Sequence, residues 1–600
     1  MCGIFGYYKK NGELTEAEKS LSEKMIRAIN RRGPDGNGVH FFKQGFFGNV
    51  RLAIVDRAHG HQPQYTNNKE FGIVYNGEVY NHQDLRKRLS YQDWKSDSDT
   101  EVVLHSFLEW GTRGLSELNG MFAGCIWNEA KNEFWLFRDQ MGIKPLYLYE
   151  DSERFVFSSE LKAFFVIPNI DLEYSPLGLQ DYLVYRYIPG PHTLFKKIKK
   201  VEPATVIHFC NRGYRTENFK HFQYPIEKVA SLEESLEKMD HLLESSVKSQ
   251  LMGERPVGVL LSGGIDSSTI AYYVHKLNQN LTTFNIGFPD LNEFEYSRAV
   301  AKEYKLKHIE ISLSLDEMLN SFDEISQAID EPMSDAACLP LFKLCEELKK
   351  HVVVVLSGEG GDELFGGYNQ YKDLYRGIEQ NIDWQDFMKH SSYFLDVEEL
   401  LVDQKIPPSH LRTRKYWWGN NPMDAMTNFD LKTWMPDDLM MKADKILMHH
   451  SLERRFPFLD NALLDFSTTL SPELKITDSG VTKYILKKLM ENRLPKTVTH
   501  RSKMGFSVPI QSILIKMKNQ FYESFHLSQK TNMSEIINFN RIEKMMDNFY
   551  KGHNENTLRL WTFFSLFYWC SFTQKKYKEL AHLNGDYVSK KEESIQIATQ

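Results

Sequence analysis

Short apolar runs dominate the first 215 positions of the chain. FFGNVRLAIVD, FGIVYNGEVY, MFAGCIWN, EFWLFRD, PLYLYE, RFVFSS and ATVIHF each predict a strand, and the Gly, Asn and Asp residues between them predict hairpin turns. LTEAEKSLSEKMIRAINR and a segment from Asp99 toward Trp110 space their apolar residues three and four apart, which predicts two helices. Antiparallel strands with helices laid against them make an α+β layered sandwich. The pattern changes beyond a mixed polar stretch containing Pro225. SLEESLEKMDHLLESSVKSQLM is helical, VGVLL is a strand that stops at Ser262-Gly263-Gly264, DSSTIAYYVHKL is a helix, LTTFNIGF is a strand, and HVVVVL runs into SGEGGDE. Strands alternating with helices and ending in Gly-rich turns predict a doubly wound parallel sheet. Past about residue 370 the chain reads as mostly helical, with Tyr416-Trp417-Trp418 as core. The predicted organisation is a two-domain α/β protein: a sandwich over 2–215, a linker over 216–235, a parallel-sheet domain with a helical C-terminal part over 236–580, and a loose tail over 581–600.

Composition narrows the class. The 600 residues exceed what one core holds, and 42% hydrophobic with 26% charged residues is ordinary for a soluble globular protein. No apolar run approaches the roughly 20 residues of a membrane helix. With 73 basic against 80 acidic residues, the net charge of −7 argues against a dedicated nucleic-acid binder. Six cysteines without a CxxC pair give neither a disulfide scaffold nor a zinc site. The opening MCGIFGYYKK lacks the basic and apolar regions of a secretory signal, so a cytoplasmic protein is expected.

Residue 2 is a cysteine. After Met removal it would carry a thiol and an α-amine titrating near ~7.7–8.0, so one residue could supply nucleophile and base. By itself, a second-position cysteine is more often a small residue that permits Met excision. Arg31-Arg32-Gly33-Pro34-Asp35-Gly36 follows, then Arg51-Leu52-Ala53-Ile54-Val55-Asp56, Asn76-Gly77-Glu78 and Ser98-Asp99-Thr100-Glu101. Singly, the Asn-Gly pair reads as a hairpin and the Ser98 segment as a capping box. Together, in this order behind Met-Cys-Gly, they resemble a class II glutamine amidotransferase domain, an N-terminal-nucleophile (Ntn) hydrolase fold. The resemblance implies that Cys2 attacks the glutamine carboxamide and releases ammonia, with Asn76 and Gly77 stabilising the oxyanion. It also implies that Arg51 takes the α-carboxylate, that Leu52, Ala53, Ile54 and Val55 line the same glutamine site, and that Glu78 and Asp99 receive the α-ammonium.

Ser262-Gly263-Gly264-Ile265-Asp266-Ser267-Ser268 follows a buried-type strand and opens a helix, a backbone arrangement suited to phosphate. It has no GK[ST] and resembles the PP-loop of enzymes that cleave ATP to AMP and pyrophosphate. Asp266 and Asp362 are candidate Mg²⁺ ligands, although carboxylates at helix N-termini also serve the helix dipole. An N-terminal glutaminase joined to this loop resembles the glutamine-hydrolysing asparagine synthetase family. LSGEGGDELFGGY (356–368), KADKILMHHSLERRFPFLD (442–460), TKYILKKLM (482–490) and RSKMGFSVP (501–509) carry that resemblance further.

It implies that Leu260, Ser262, Gly263, Gly264, Asp266, Ser267, Ile286, Ser357 and Gly358 bind ATP. Glu359 would form and consume an acyl-adenylate, and Lys483 would neutralise pyrophosphate, where the residue pattern alone also allows a solvated helix face. Glutamine, ATP and aspartate are the implied substrates, with Mg²⁺ as cofactor, a homodimer as assembly, and a dry path for ammonia between Cys2 and Glu359. Relatives acting on other carboxylates, such as sugar uronic acids, supply the alternative acceptor. The segment Asp330-Glu331-Pro332-Met333-Ser334 is placed at the acceptor. A non-enzymatic protein on this fold should have lost some of Cys2, Arg51, Asn76, Asp99, Asp266 or Glu359, and all six are present.

Overall fold

The computed structural model describes residues 2–577 apart from 211–212, 221, 230, 290–291, 377–383, 391–393, 403–405 and 501–507. The tail 581–600 and most of the RSKMGFSVP segment therefore lie outside the described residues. The N-terminal part stacks two six-stranded antiparallel sheets. In one, the strands run in the order Ile198–Lys200, Tyr147–Glu150, Arg154–Ser158, Cys2–Lys9, Gly45–Arg51 and Gly36–Phe42. In the other the order is Gly213–Asn218, Thr205–Cys210, Glu133–Arg138, Gly120–Asn128, Phe71–Val79 and Gln64–Tyr65.

Strand alternation builds the layers. Ile4 and Phe47 face the second sheet and meet Val74, Cys125 and Trp127. The neighbours Phe5 and Phe46 face outward onto Met25 and Ile29 of the helix Leu21–Ile29. On the far side Ile73 and Tyr75 pack against Val102, Val103 and Phe107 of the helix Asp99–Trp110. The result is a helix–sheet–sheet–helix sandwich. The first predicted helix is divided into Glu16–Lys19 and Leu21–Ile29. The Ser20 hydroxyl donates to the Ala17 carbonyl at 2.7 Å, a local bond that competes with a continuous ladder.

The C-terminal part carries five parallel strands in the order Lys307–Ser312, Thr282–Gly287, Val257–Leu260, Val354–Leu356 and Glu453–Arg455. Both faces are covered. Met239, Leu243 and Ile270 pack with Val259 on one side, and Phe342, Cys345 and Ile446 pack with Val355 on the other. The chain order reverses between Val257–Leu260 and Val354–Leu356, and ligands of open α/β sheets bind beyond the strand ends at such a point. The helices Lys518–Gln529, Phe539–Tyr550 and Thr557–Lys576 close the C-terminal helical part. Trp417 packs against Trp384 and Phe387, whereas Trp418 is exposed, so the expected Tyr416-Trp417-Trp418 core forms only in part. Within 216–235, the strand Gly213–Asn218 continues the second sandwich sheet and Val229 donates to the Thr469 carbonyl at 2.8 Å, so this stretch is pinned to both halves. No helix among the described residues is long and apolar enough to cross a membrane.

Candidate active sites

The first site lies where the two sandwich sheets open at the start of the strand Cys2–Lys9. Cys2 is buried and pairs in register with Arg51. Its backbone nitrogen donates to Asn76 Oδ1 at 3.1 Å, while Asn76 Nδ2 is buried with no hydrogen-bond partner. An amide with its acceptor end fixed and its donor end unspent can give that donor to a developing oxyanion. Gly77 sits beside it in the strand Phe71–Val79, and a Cβ there would lie 2.6 Å from Phe122 Cβ, so only glycine fits. Burial pushes the Cys2 thiol up, with the Arg51 charge and the Leu52 N–H pulling against it.

Two buried carboxylates complete the pocket. Asp99 opens its helix behind the Ser98 cap and accepts from the Val79 N–H at 2.9 Å. Burial raises Asp99, opposed by His82 and that N–H. Burial and the neighbouring carboxylates of Glu453 and Asp99 hold Glu78 well above the usual carboxylate range, opposed by Arg455. Arg51 is arranged differently from its expected role. Its guanidinium donates to the carbonyls of Val55, Asp56 and Arg57 at 3.2, 2.7 and 3.2 Å, so in this structure it organises the loop that follows. Leu52, Ala53 and Ile54 are buried in that loop. The loop is tied to the other domain by Arg255 Nε on the Ala53 carbonyl at 2.9 Å and the Glu254 N–H on the Ile54 carbonyl at 2.9 Å. Gln62 was not anticipated from the sequence, where HGHQPQY carries no motif. Its Nε2 lies 3.9 Å from Cys2 Sγ, and its Oε1 accepts from the Tyr75 N–H at 2.7 Å.

The second site fills the switch point of the parallel sheet. A cavity of about 330 Å³ is lined by Leu260, Ser262, Asp266, Ser267, Ile286, Ser357, Gly358, Glu359 and Asp362, all predicted there. Leu260, Ile286, Leu341 and Leu344 form an apolar slot. The Ser262–Gly264 turn is locked by the Ser262 N–H on Ser267 Oγ at 3.2 Å. Gly263 has φ +78°, and a Cβ there would meet Tyr296 Cβ at 2.6 Å.

Lys483 stands at the mouth of the helix Tyr484–Met490 with φ +51°, a left-handed conformation that a lysine adopts at a cost. Its Nζ lies 2.5 Å from Asp266 Oδ2 and 2.7 Å from Asp362 Oδ1, which replaces the solvated-face reading with a buried bridge. Burial would lower the Lys483 ammonium, but the two aspartates hold it firmly protonated. Added Cβ atoms at Gly361 and Gly367 would collide with Asp266 Oδ1 and Asp362 Oδ1, so the pair sits in a glycine cradle. Two carboxylates converging on one cation, open to a phosphate-sized cavity, suit Mg²⁺, which takes few protein ligands.

The segment Asp330–Ser334 does not line this cavity. Asp330 pairs with Lys445, and Glu331 lies 3.2 Å from Lys200 and accepts from the Tyr147 hydroxyl at 3.1 Å. Asp330 also accepts from the Lys162 N–H of the sandwich at 3.1 Å, so both carboxylates are engaged with the other domain rather than placed in this cavity, where the sequence reading put an acceptor-facing loop.

Charged residues assigned no role from the sequence join the sites. Glu453–Arg455 is a fully buried strand of three charges. Arg455 Nε donates to Glu453 at 2.5 Å and its Nη2 lies 3.9 Å from Glu78 Oε2 in the first site. The preceding residue, Arg454, pairs with Glu359 in the second. Arg32 Nε donates to the Cys2 carbonyl at 3.0 Å, and the same guanidinium reaches Asp444 on the helix Met440–His449.

Sequence comparisons agree with this two-site architecture. A family profile described as "Asparagine synthase" matches residues 238–571, and one described as "Glutamine amidotransferase domain" matches residues 1–220. A curated glutamine-hydrolyzing asparagine synthetase 1 of Bacillus subtilis is 32% identical over 630 residues, covering 97% of this chain and 99% of its own. A putative glutamine-hydrolyzing asparagine synthetase of Mycobacterium tuberculosis is 30% identical, covering 95% and 97%. The glutamine-hydrolyzing asparagine synthetase B of Escherichia coli is 28% identical, covering 84% and 82%.

Proposed function

Because the chain belongs to the asparagine synthase family, we infer that it makes L-asparagine from L-aspartate, glutamine and ATP. It hydrolyses glutamine at the sandwich site, adenylates the aspartate side-chain carboxylate at the parallel-sheet site with release of pyrophosphate, and lets ammonia displace AMP. A carboxylate acylates poorly because oxide is its leaving group, and adenylation replaces oxide with AMP.

In this reading the freed α-amine of Cys2 stays on Asn76 Oδ1, in reach of its own sulfur, and accepts the thiol proton as the sulfur attacks the carboxamide. Asn76 Nδ2 and the Gly77 N–H take the oxyanion, and the proton returns with the departing ammonia. Glu78 and Asp99 bind the glutamine ammonium, and Arg51 holds the loop that faces the α-carboxylate. At the second site, Leu260 and Ile286 would hold the base and the Ser262–Ser267 turn the phosphates. Asp266 and Asp362 would hold Mg²⁺, which screens phosphate charge when bound. Lys483 then moves its charge onto pyrophosphate as the bond to AMP breaks. Ammonia must arrive unprotonated and ahead of water, so the path between the sites has to be dry.

The observation that carries the reading is the strand Glu453–Arg455, whose consecutive arginines reach the glutaminase carboxylate Glu78 and the synthetase carboxylate Glu359. We place the protein in a reducing cytoplasm, on the support of six unpaired cysteines, five of them buried. Assembly as a homodimer rests on family resemblance. The test is pyrophosphate release with glutamine, ATP and Mg²⁺, with and without L-aspartate. Release that depends on aspartate is expected, and release indifferent to aspartate would point to another carboxylate.

A further inference from the structure

The wall of the second cavity holds a charge that the roles above leave unused. Arg454 lines the cavity, is 8% exposed, and its guanidinium pairs with Glu359. Its Cζ lies over the Phe456 ring, 5.6 Å from the ring centre. Arg454 Nε is buried without a hydrogen-bond partner, and so is Glu359 Oε2. The other cations nearby are committed: Lys442 to Asp335, and Lys483 to two aspartates. Among the described residues, Arg454 is therefore the cavity cation with an unspent donor.

An aspartate acceptor brings two carboxylates, and only one is adenylated. The other stays charged beside the carboxylates of Asp266, Glu359 and Asp362 and needs a cation, which a planar guanidinium fork supplies in two parallel hydrogen bonds. The geometry points to Arg454 as the residue that holds the acceptor's non-reacting carboxylate, exchanging Glu359 for it. This rests on the asparagine-forming reading and deepens it. Before the acceptor binds, Arg454 neutralises Glu359. Once the acceptor carboxylate occupies the guanidinium, Glu359 is released with an unspent oxygen toward the incoming nucleophile. The same contact selects a dicarboxylic amino acid over a monocarboxylic one.

The test compares L-aspartate with β-alanine, which keeps the reacting carboxylate and the amine but lacks the second carboxylate. Pyrophosphate release with saturating ammonia gives kcat/KM for each acceptor in the wild type, Arg454→Met and Arg454→Lys. The wild type is expected to prefer aspartate by at least about 100-fold. In Arg454→Met the KM for aspartate should rise by about 30-fold or more and the preference should fall below about 10-fold, while Arg454→Lys recovers part of it. The KM for ATP and the glutaminase rate should move less than about threefold, because neither site contact is lost. An unchanged aspartate preference in Arg454→Met would overturn the proposal. A parallel loss of ATP affinity and glutaminase rate would assign Arg454 to the framework and overturn it as well. Absence of aspartate-dependent pyrophosphate in the wild type would instead defeat the asparagine-forming reading itself.

Discussion

Arg32 and Asp444, 412 positions apart, meet in a two-pronged buried ion pair, with Nη1 to Oδ2 at 2.7 Å and Nη2 to Oδ1 at 3.2 Å. Arg32 also holds the Cys2 carbonyl and Glu160, and Lys144 reaches Asp444 at 2.8 Å. The nucleophile's backbone is thus fixed by a carboxylate of the other domain. Asp444→Asn leaves Arg32 and Lys144 buried beside a neutral group and should cost about 3–5 kcal/mol in denaturant unfolding. Burial would raise the Asp444 carboxyl, but the charges of Arg32 and Lys144 bring it down to about 2. A folded value below the unfolded one stabilises above the unfolded value, so this contribution is present above pH ~4 and lost as pH falls from ~4 toward ~2. The acid side of the stability profile should flatten over that window in Asp444→Asn. A variant as stable as the wild type, with the same acid limb, would contradict the account.

Asn76 offers a donor in the transition state more than in the ground state. Asn76→Ala should lower the glutaminase kcat by about 10²–10³ with little change in KM, and leave ammonia-dependent synthesis intact. Steady-state glutaminase kinetics decide it, and a pure KM effect would place Asn76 in ground-state binding.

Burial pushes Glu78 and Asp99 up, and an arriving glutamine ammonium should draw both back down, so binding should release protons where the empty site still carries them. Glutamine binding to Cys2→Ala, followed by calorimetry on the acid side of neutrality in buffers of different ionisation enthalpy, should report net proton release. Zero release or uptake would count against these two residues as the ammonium site.

Most of the sandwich and three of the five parallel strands were legible because apolar alternation and Gly-rich turns announce them, as FGIVYNGEVY and VGVLLSGG do. The site residues Cys2, Asn76, Asp266 and Glu359 lie in short contiguous motifs, where spacing alone brings chemistry together. Gln62 was not legible, and Arg32 and Arg454, though inside motifs that carry the resemblance, showed no role, because each acts through partners far away in the chain. Glu453–Arg455 hid for a different reason. Three consecutive charges have no strand-like pattern, and they enter the sheet only because Glu453 meets Arg455 and Arg454 meets Glu359. The carboxylates Asp330 and Glu331 looked available for an acceptor because a sequence does not show the lysines that bury them.

Lys483, Asp266 and Asp362 act as one unit within the glycine cradle. A Cβ at Gly367 would overlap both Asp362 Oδ1 and Lys483 Cε. Gly367→Ala should therefore lower aspartate-dependent ATP–pyrophosphate exchange by at least about 10²-fold while glutamine hydrolysis continues, a split that a general folding defect would not produce. Exchange at the wild-type rate would show that the cradle can relax.

The central claim is that nitrogen freed at Cys2 reaches the adenylate within the protein. Glutamine labelled with ¹⁵N at the amide, supplied with aspartate, ATP, Mg²⁺ and an excess of unlabelled ammonium, tests it by mass analysis of the product. The account predicts asparagine whose amide is enriched in ¹⁵N far above the ratio in bulk ammonium, with the enrichment abolished in Cys2→Ala. Asparagine labelled only at the bulk ratio, or synthesis from glutamine that survives loss of the Cys2 sulfur, would contradict it.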